Sequence, residues 1–277
     1  MFRSPLASTA CMTAAARARE SRRTDALFVD PWANLLAGDV GWELQRRFET
    51  ASGAHQENPY IAVRTRWADD HLRTAARRHP DPQVVLLAAG MDCRAIRLDW
   101  PAGTVVYEVD QPELLRHKEA ALTGAGAQPN CERRVVAADL NSGWAGPLVS
   151  AGVRWDLPVI WVVEGLLMYF DAGSAQTLLA ELTALSVAGS ELVADFVSPG
   201  FLRQPWLRPG LDLLESWGTP WQFAVEEPAD LLRRLGWRPT VHEPGDLDIG
   251  GRPWPYPPAP RGVSGQPRLL LTTALRS

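Results

Sequence analysis

The apolar positions along the chain change period once. Over the first eighty residues they recur at helical spacing. The stretch "DALFVDPWANLLAG" (residues 25–38) predicts a helix with Pro31 near its centre and a stop at Gly38. The stretch "NPYIAVRTRWADDHLRTAARRHP" (residues 58–80) opens on Asn58 as N-cap, places Pro59 at the first helical position and ends before Pro80. From Gln83 onward, short β-rich runs alternate with helical stripes. The runs are "QVVLLA", "GTVVYEVD", "RRVVAADL", "LPVIWVVEG" and "GSELVADFV"; "PELLRHKEAALTGAG" and "GSAQTLLAELTALS" lie between them. Continuous apolar strands alternating with helices predict an α/β, doubly wound parallel sheet covered on both faces.

The end of the chain reads differently. Residues 199–226 are rich in Pro, Trp and Leu and predict a helical insertion over the site. "EPADLLRRLGW" predicts a helix stopped by Gly236, and "RPTVHEP" and "RLLLTTAL" two closing strands around the Pro-rich loop "GGRPWPYPPAPRG". No internal repeat is visible, nor a linker long enough to separate two domains. The expectation is one domain, with residues 1–80 as a helical cap and 81–277 as the core.

Composition narrows the field of functions. Of 277 residues, 46% are hydrophobic and 22% charged, and the net charge of −4 excludes a nucleic-acid-binding footprint. Three cysteines, Cys11, Cys93 and Cys131, are odd in number and scattered, which argues against a disulfide framework and fits a reducing cytoplasm. The five histidines show no metal-binding spacing, so no metal is expected. No apolar run approaches the ~20 residues that span a bilayer, so no membrane association is expected. The N-terminal "MFRSPLASTACMTAAARARESRR" has basic and serine-bearing features of a transit peptide but no continuous apolar core, and is read as part of the fold.

The candidate chemistry starts at "VVLLAAGMDCRAIRL", where a buried strand runs into Ala88, Ala89 and Gly90, the smallest side chains. Such a turn brings something close to its backbone. Doubly wound sheets bind ligands at the carboxyl ends of their strands. Acids end three successive strands here: Asp110 about twenty residues past Gly90, Asp139 before Leu140, and Glu164 before Gly165. In nucleotide-binding sheets an acid at the place of Asp110 accepts from ribose hydroxyls. A dinucleotide fingerprint would require glycine where Ala88 and Cys93 stand, and so fails twice. S-adenosylmethionine carries no phosphate, and acids suit its sulfonium and α-amino group.

At these residues the sequence resembles the leucine carboxyl methyltransferases, closest to their bacterial branch of polyketide and other small-molecule O-methyltransferases. The resemblance is carried in order by "RARESRRTDALFVDPWANLLAG", "YIAVRTRWADDHL", "VVLLAAGMDCRAIRLDWP", "VVYEVDQPELLRHKEAAL", "RRVVAADL" and "WVVEGLLMYF", and covers most of residues 15–197. It implies a seven-stranded class I methyltransferase sheet, Rossmann-like, with an N-terminal helical cap. It implies that Arg64 meets the cofactor carboxylate, Gly90 with Ala88 in its turn the methionyl backbone, and Asp110 the ribose. Asp139 and Leu140 would meet the adenine edge, and Glu164 the amino group. The family usually has glycine where Ala88 stands.

A carboxylate acceptor is ionised at neutral pH and needs no base, whereas a phenol usually does. No convincing histidine base stands beside these motifs; His117 falls in the helix after the second strand, where a surface role is expected. The residues therefore favour a carboxylate or hydroxyl on a small-molecule or peptide acceptor, oriented by Tyr169, Arg22, Arg23 or Arg64. N-methylation of a peptide or amide stays open, as do an NAD-dependent dehydrogenase and a non-catalytic cofactor-binding protein.

Overall fold

The computed structural model describes residues 5–52, 58–247, 254–257, 259–260 and 262–277. Three helices come first: α1 (Pro5–Glu20), α2 (Ala33–Ala51) and α3 (Tyr60–Ala76). Strands and helices then alternate through β1 (Gln83–Leu87), α4 (Arg94–Arg97), β2 (Val105–Asp110), α5 (Pro112–Gly124) and β3 (Glu132–Ala137). They continue through α6 (Ala145–Ser150), β4 (Val159–Val163), α7 (Ala172–Ala184) and β5 (Glu191–Val197). After β5 come α8 (Pro199–Leu202), α9 (Arg208–Ser216), α10 (Pro228–Arg234), β6 (Trp237–His242) and β7 (Leu269–Arg276). All five expected strand–helix runs and both closing strands are present, and the expected insertion holds α8 and α9. Most of the Pro-rich loop lies outside the described residues.

The seven strands form one sheet in the order β3-β2-β1-β4-β5-β7-β6. β1 to β5 run parallel, and β7 is antiparallel to both its neighbours. Successive strand residues face opposite ways, which explains the unbroken apolar runs. Val85, Tyr107 and Trp161 face Leu148, Leu178 and Leu232 on one side; Val84, Val106 and Ile160 face Leu72 and Ala75 on the other. The strand order reverses between β1 and β4, and the loops leaving them diverge there into a crevice.

The alanine-rich N-terminus packs as a small-residue face. Cys11, Ala14 and Ala15 of α1 meet Leu36 and Ala37 of α2. A Cβ on Gly41 would lie 2.4 Å from the Cys11 carbonyl oxygen, so the two helices touch backbone to backbone.

Two helix expectations need correction. Helix α2 begins at Ala33, not near residue 25, and it passes Gly38 to reach Ala51. Pro31 cannot sit inside a helix, and the Asp30 side chain instead accepts from the Trp32 N–H at 3.2 Å. Gly38 kinks the helix (φ 53°, ψ −174°) instead of ending it. In α3 the first helical residue is Tyr60, one later than expected, while Asn58 Oδ1 caps its N–H at 2.9 Å.

Candidate functional site

The crevice between β1 and β4 holds a cavity of about 410 Å³. Its walls are the turn after β1, the ends of β2 and β4, the loop after β3, one face of α1 and the loop at residues 218–222. Arg64, Ala88, Gly90, Asp110, Asp139, Leu140, Glu164 and Tyr169, all singled out in the sequence, line this one space.

The turn after β1 is strained. Ala88 has φ 52°, the only positive φ outside glycine among the described residues, and Gly90 has φ 48°. Three of its N–H groups are already used: Ala89 donates to the Val109 carbonyl at 3.0 Å and Asp92 to the Ala89 carbonyl at 2.8 Å. Gly90 donates to Asp110 Oδ2 at 2.7 Å. A turn closed in this way leaves no nest of donors for a pyrophosphate, and places a carboxylate where the phosphate charge would be. The small side chain at Gly90 also serves the cap, since an added Cβ would stand 3.1 Å from Ala10 Cβ of α1.

Asp110 is the last residue of β2 and is 9% exposed. Burial pushes its pKa up, and the Gly90 and Gln111 N–H groups that donate to it oppose the rise. Asp139 is held in a tight turn by the Asn141 N–H at 2.9 Å.

Behind the wall runs a buried ladder of charge that sequence reasoning missed. Arg17 pairs with Asp30, Arg97 with Asp69, Arg94 with Asp69, Asp92 and Glu164, and Arg64 with Glu164 and Asp195. Four arginines thus face five acids, and the ladder carries one negative charge in excess. Arg64 donates from Nε to Glu164 Oε1 at 3.1 Å and from Nη1 to Asp195 Oδ2 at 2.8 Å. Asp195, on β5, also accepts from the Tyr60 hydroxyl at 2.9 Å and the Gly165 N–H at 2.6 Å. A fully buried aspartate inside the apolar run "LVADFV" was the available signal, because an unpaired charge does not persist in a sheet core.

Tyr169 stands at the turn after β4, edge-on to Trp221 at 6.3 Å between ring centroids. Burial raises its phenol pKa, with the neighbouring Trp221 and Thr9 pulling the other way. At neutral pH it is a protonated donor, not a base. On α1, Thr9, Thr13 and Arg17 recur every fourth residue and face the cavity together.

Arg22 and Arg23 are not brought to the cavity. Both are exposed just beyond α1: Arg22 lies over the Trp42 ring, and Arg23 pairs with Asp25. Arg17, one turn earlier, takes the inward position, donating to Asp30 and to the Met91 carbonyl. Of the insertion, Thr219, Pro220 and Gln222 reach the cavity wall, while Trp206, Trp217 and Trp221 do not line it. His117 sits on the exposed side of α5. Among the described residues no helix is long and apolar enough to cross a membrane.

Comparison with known proteins bears on this geometry. The leucine carboxyl methyltransferase family model matches residues 10–183. A protein of Mycolicibacterium gilvum (strain PYR-GCK), named "Putative S-adenosyl-L-methionine-dependent methyltransferase", is 43% identical over 263 residues, covering 89% of this chain and 87% of its own. A protein of the same name from Saccharopolyspora erythraea is 37% identical over 260 residues, covering 88% and 87%. Among solved structures, a DUF574 family protein from Streptomyces avermitilis aligns over 97% of both chains with a TM-score of 0.62 at 11% identity, a likeness of fold alone.

Proposed function

The chain belongs to the leucine carboxyl methyltransferase family and is an S-adenosylmethionine-dependent methyltransferase; from that premise we propose that it methylates a carboxylate on a small-molecule or peptide acceptor. The cavity suits the cofactor. Its turn offers no donor nest for phosphate, its buried ladder has an excess negative charge for a cation, and its volume falls within the roughly 300–1,000 Å³ of small-molecule sites. Bound there, S-adenosylmethionine supplies a methyl carbon already activated by its sulfonium. In this reading Asp110 accepts from the ribose hydroxyls and Glu164 from the α-amino group. Arg64, whose Nη2 makes neither of its two carboxylate bonds, would hold the cofactor carboxylate. Ala88 and Gly90 face the methionyl backbone, and Asp139 and Leu140 the adenine edge.

One observation carries the choice of acceptor: beyond the cofactor residues the cavity offers hydroxyl and amide donors. Its two further carboxylates, Asp92 and Asp171, are already held by Arg94 and Ser174 with their pKa lowered, which makes them poor bases. Thr9, Thr13, Thr219, Gln222 and Tyr169 line it, no imidazole does among the described residues, and the Tyr169 phenol is held protonated. Such a wall orients an oxygen that arrives already ionised and excludes water from it. A carboxylate meets that condition at neutral pH, whereas phenols and amides do not. The sequence resemblance to small-molecule O-methyltransferases of secondary metabolism supports the same assignment.

The experiment follows the label. Methyl groups transferred from labelled cofactor are expected to leave as volatile methanol under mild alkali, because esters hydrolyse and aryl ethers and N-methyl amides do not. The rate is expected to stay flat from about pH 6 to 8, with no acceptor carboxylate titrating there. Alkali-stable label, or a rate climbing with pH, moves the acceptor to a hydroxyl or nitrogen.

A further inference from the structure

Arg94 is not part of the cavity wall, yet it holds two of the acids that are. It is 1% exposed, and each guanidinium nitrogen has its own carboxylate. Nη1 donates to Asp92 Oδ2 at 2.6 Å, Nη2 to Glu164 Oε2 at 2.8 Å and Nε to Asp69 Oδ1 at 2.7 Å. Asp92 belongs to the turn after β1 and Glu164 ends β4, so the two acids stand on opposite sides of the crevice. Asp69 is the buried anchor, fixed a second time by Arg97 at 2.6 and 2.8 Å. Arg97 shares that anchor but bonds neither cavity acid.

We infer that Arg94 is a positioning residue of the cofactor site, tying the β1 turn to the end of β4 and holding the Asp92 and Glu164 carboxylates in place on the crevice wall for the bound cation. The inference rests on the reading in which Glu164 meets the cofactor amino group. A planar, permanently charged fork is what three separate carboxylates require; a lysine ammonium reaches fewer of them in a fixed geometry. Two carboxylates flanking one small cavity resist joint ionisation unless a cation lies between them.

The surroundings set how much of this falls to Arg94. Arg17 from α1, Arg64 from α3, Arg97 from α4 and Lys118 from α5 add positive charge. Asp30 before α2, Tyr60 and Asp69 on α3, Cys93 beside Asp92, Glu108 (paired with Lys118) and Asp110 on β2 and Asp195 on β5 are anionic or titratable groups around them. Burial opposes ionisation of Asp92, and Arg94, ahead of Arg17, Arg97 and Lys118, overcomes it and brings the pKa down to about 2. Without Arg94, Asp92 takes up its proton at higher pH, and Glu164 loses the donor that fixes its Oε2. Affinity for the cofactor then falls as pH drops, more steeply than in the intact site, where burial raises the pKa of Asp110.

The test is binding of S-adenosylhomocysteine, measured by calorimetry between about pH 7 and 5, where free carboxylates stay ionised. Wild type and Arg97→Met are expected to change less than about threefold. Arg94→Met is expected to lose about tenfold or more, since a neighbouring arginine moves a carboxylate by roughly 1–3 pH units. Arg94→Lys is expected to fall between. Matching profiles for Arg94→Met and Arg97→Met would show that Arg94 is merely structural and overturn the inference. Should Arg94→Met not fold, Arg94→Lys decides alone, and a profile identical to wild type overturns it. A Glu164→Gln variant binding like wild type would refute the cofactor reading itself, so the two failures are distinguishable.

Discussion

At Ala88 an L-residue occupies the left-handed region, at φ 52°. The methyl group there costs on the order of 1–2 kcal/mol against the following carbonyl oxygen. Glycine removes that cost but adds freedom to the unfolded chain, worth roughly 0.4–1 kcal/mol in the opposite sense. Ala88→Gly is therefore expected to raise the melting temperature by about 1–3 °C, with S-adenosylhomocysteine affinity within about twofold of wild type. A fall in melting temperature would mean that the methyl group is packed to advantage. Asp110 presents the converse case. Its burial disfavours the charge, yet Gly90 and Gln111 hold it ready for a ligand. Asp110→Ala is expected to weaken cofactor binding by roughly 1–3 kcal/mol, the cost of leaving buried hydroxyls unpaired. Calorimetry on the folded variant checks it, and unchanged affinity would remove Asp110 from the ribose site.

At the scale of elements, the cap is assembled from small residues. Helix α1 can reach the cavity with Thr9, Thr13 and Arg17 only because α2 approaches its opposite side without a side chain at Gly41. A methyl group there meets backbone atoms, which cannot swing away as a flexible side chain can. Gly41→Ala is expected to cost about 1–3 kcal/mol and to reduce methyl transfer further than the stability loss alone accounts for, because α1 is displaced from the site. Thermal unfolding and a rate measured well below the melting temperature separate the two effects. Full activity in a stable Gly41→Ala protein would show that the cap tolerates displacement.

For the whole molecule, the arrangement of charge bears on the class of chemistry. Of the acids lining the crevice, Asp92 and Glu164 are engaged by arginines and Asp110 and Asp139 by backbone N–H groups, and no group of three or more His, Cys, Asp or Glu among the described residues is arranged to hold a metal ion. Methyl transfer is accordingly expected to survive exhaustive chelation at an unchanged rate. Loss of activity with EDTA, restored by magnesium, would point to a metal-assisted hydroxyl acceptor and overturn the carboxylate assignment.

Periodicity and punctuation alone determined the sheet. The alternation of apolar runs with helical stripes gave all seven strands: the central runs bury both faces, the edge strands β3 and β6 only part of theirs, and each stripe buries one side. The acids at the strand ends were equally legible, since a polar residue closing an apolar run marks where the chain leaves the core. The seven cofactor candidates and Tyr169 meet in one cavity for that reason. Tertiary structure decided the rest. Arg22 and Arg17 are alike in sequence, and only the packing of α1 turns one outward and the other to Asp30 and Met91. Asp69, Arg94 and Asp195 come from α3, the start of α4 and β5, separate elements of the chain, and a buried charge reveals its purpose only once its partners are brought around it.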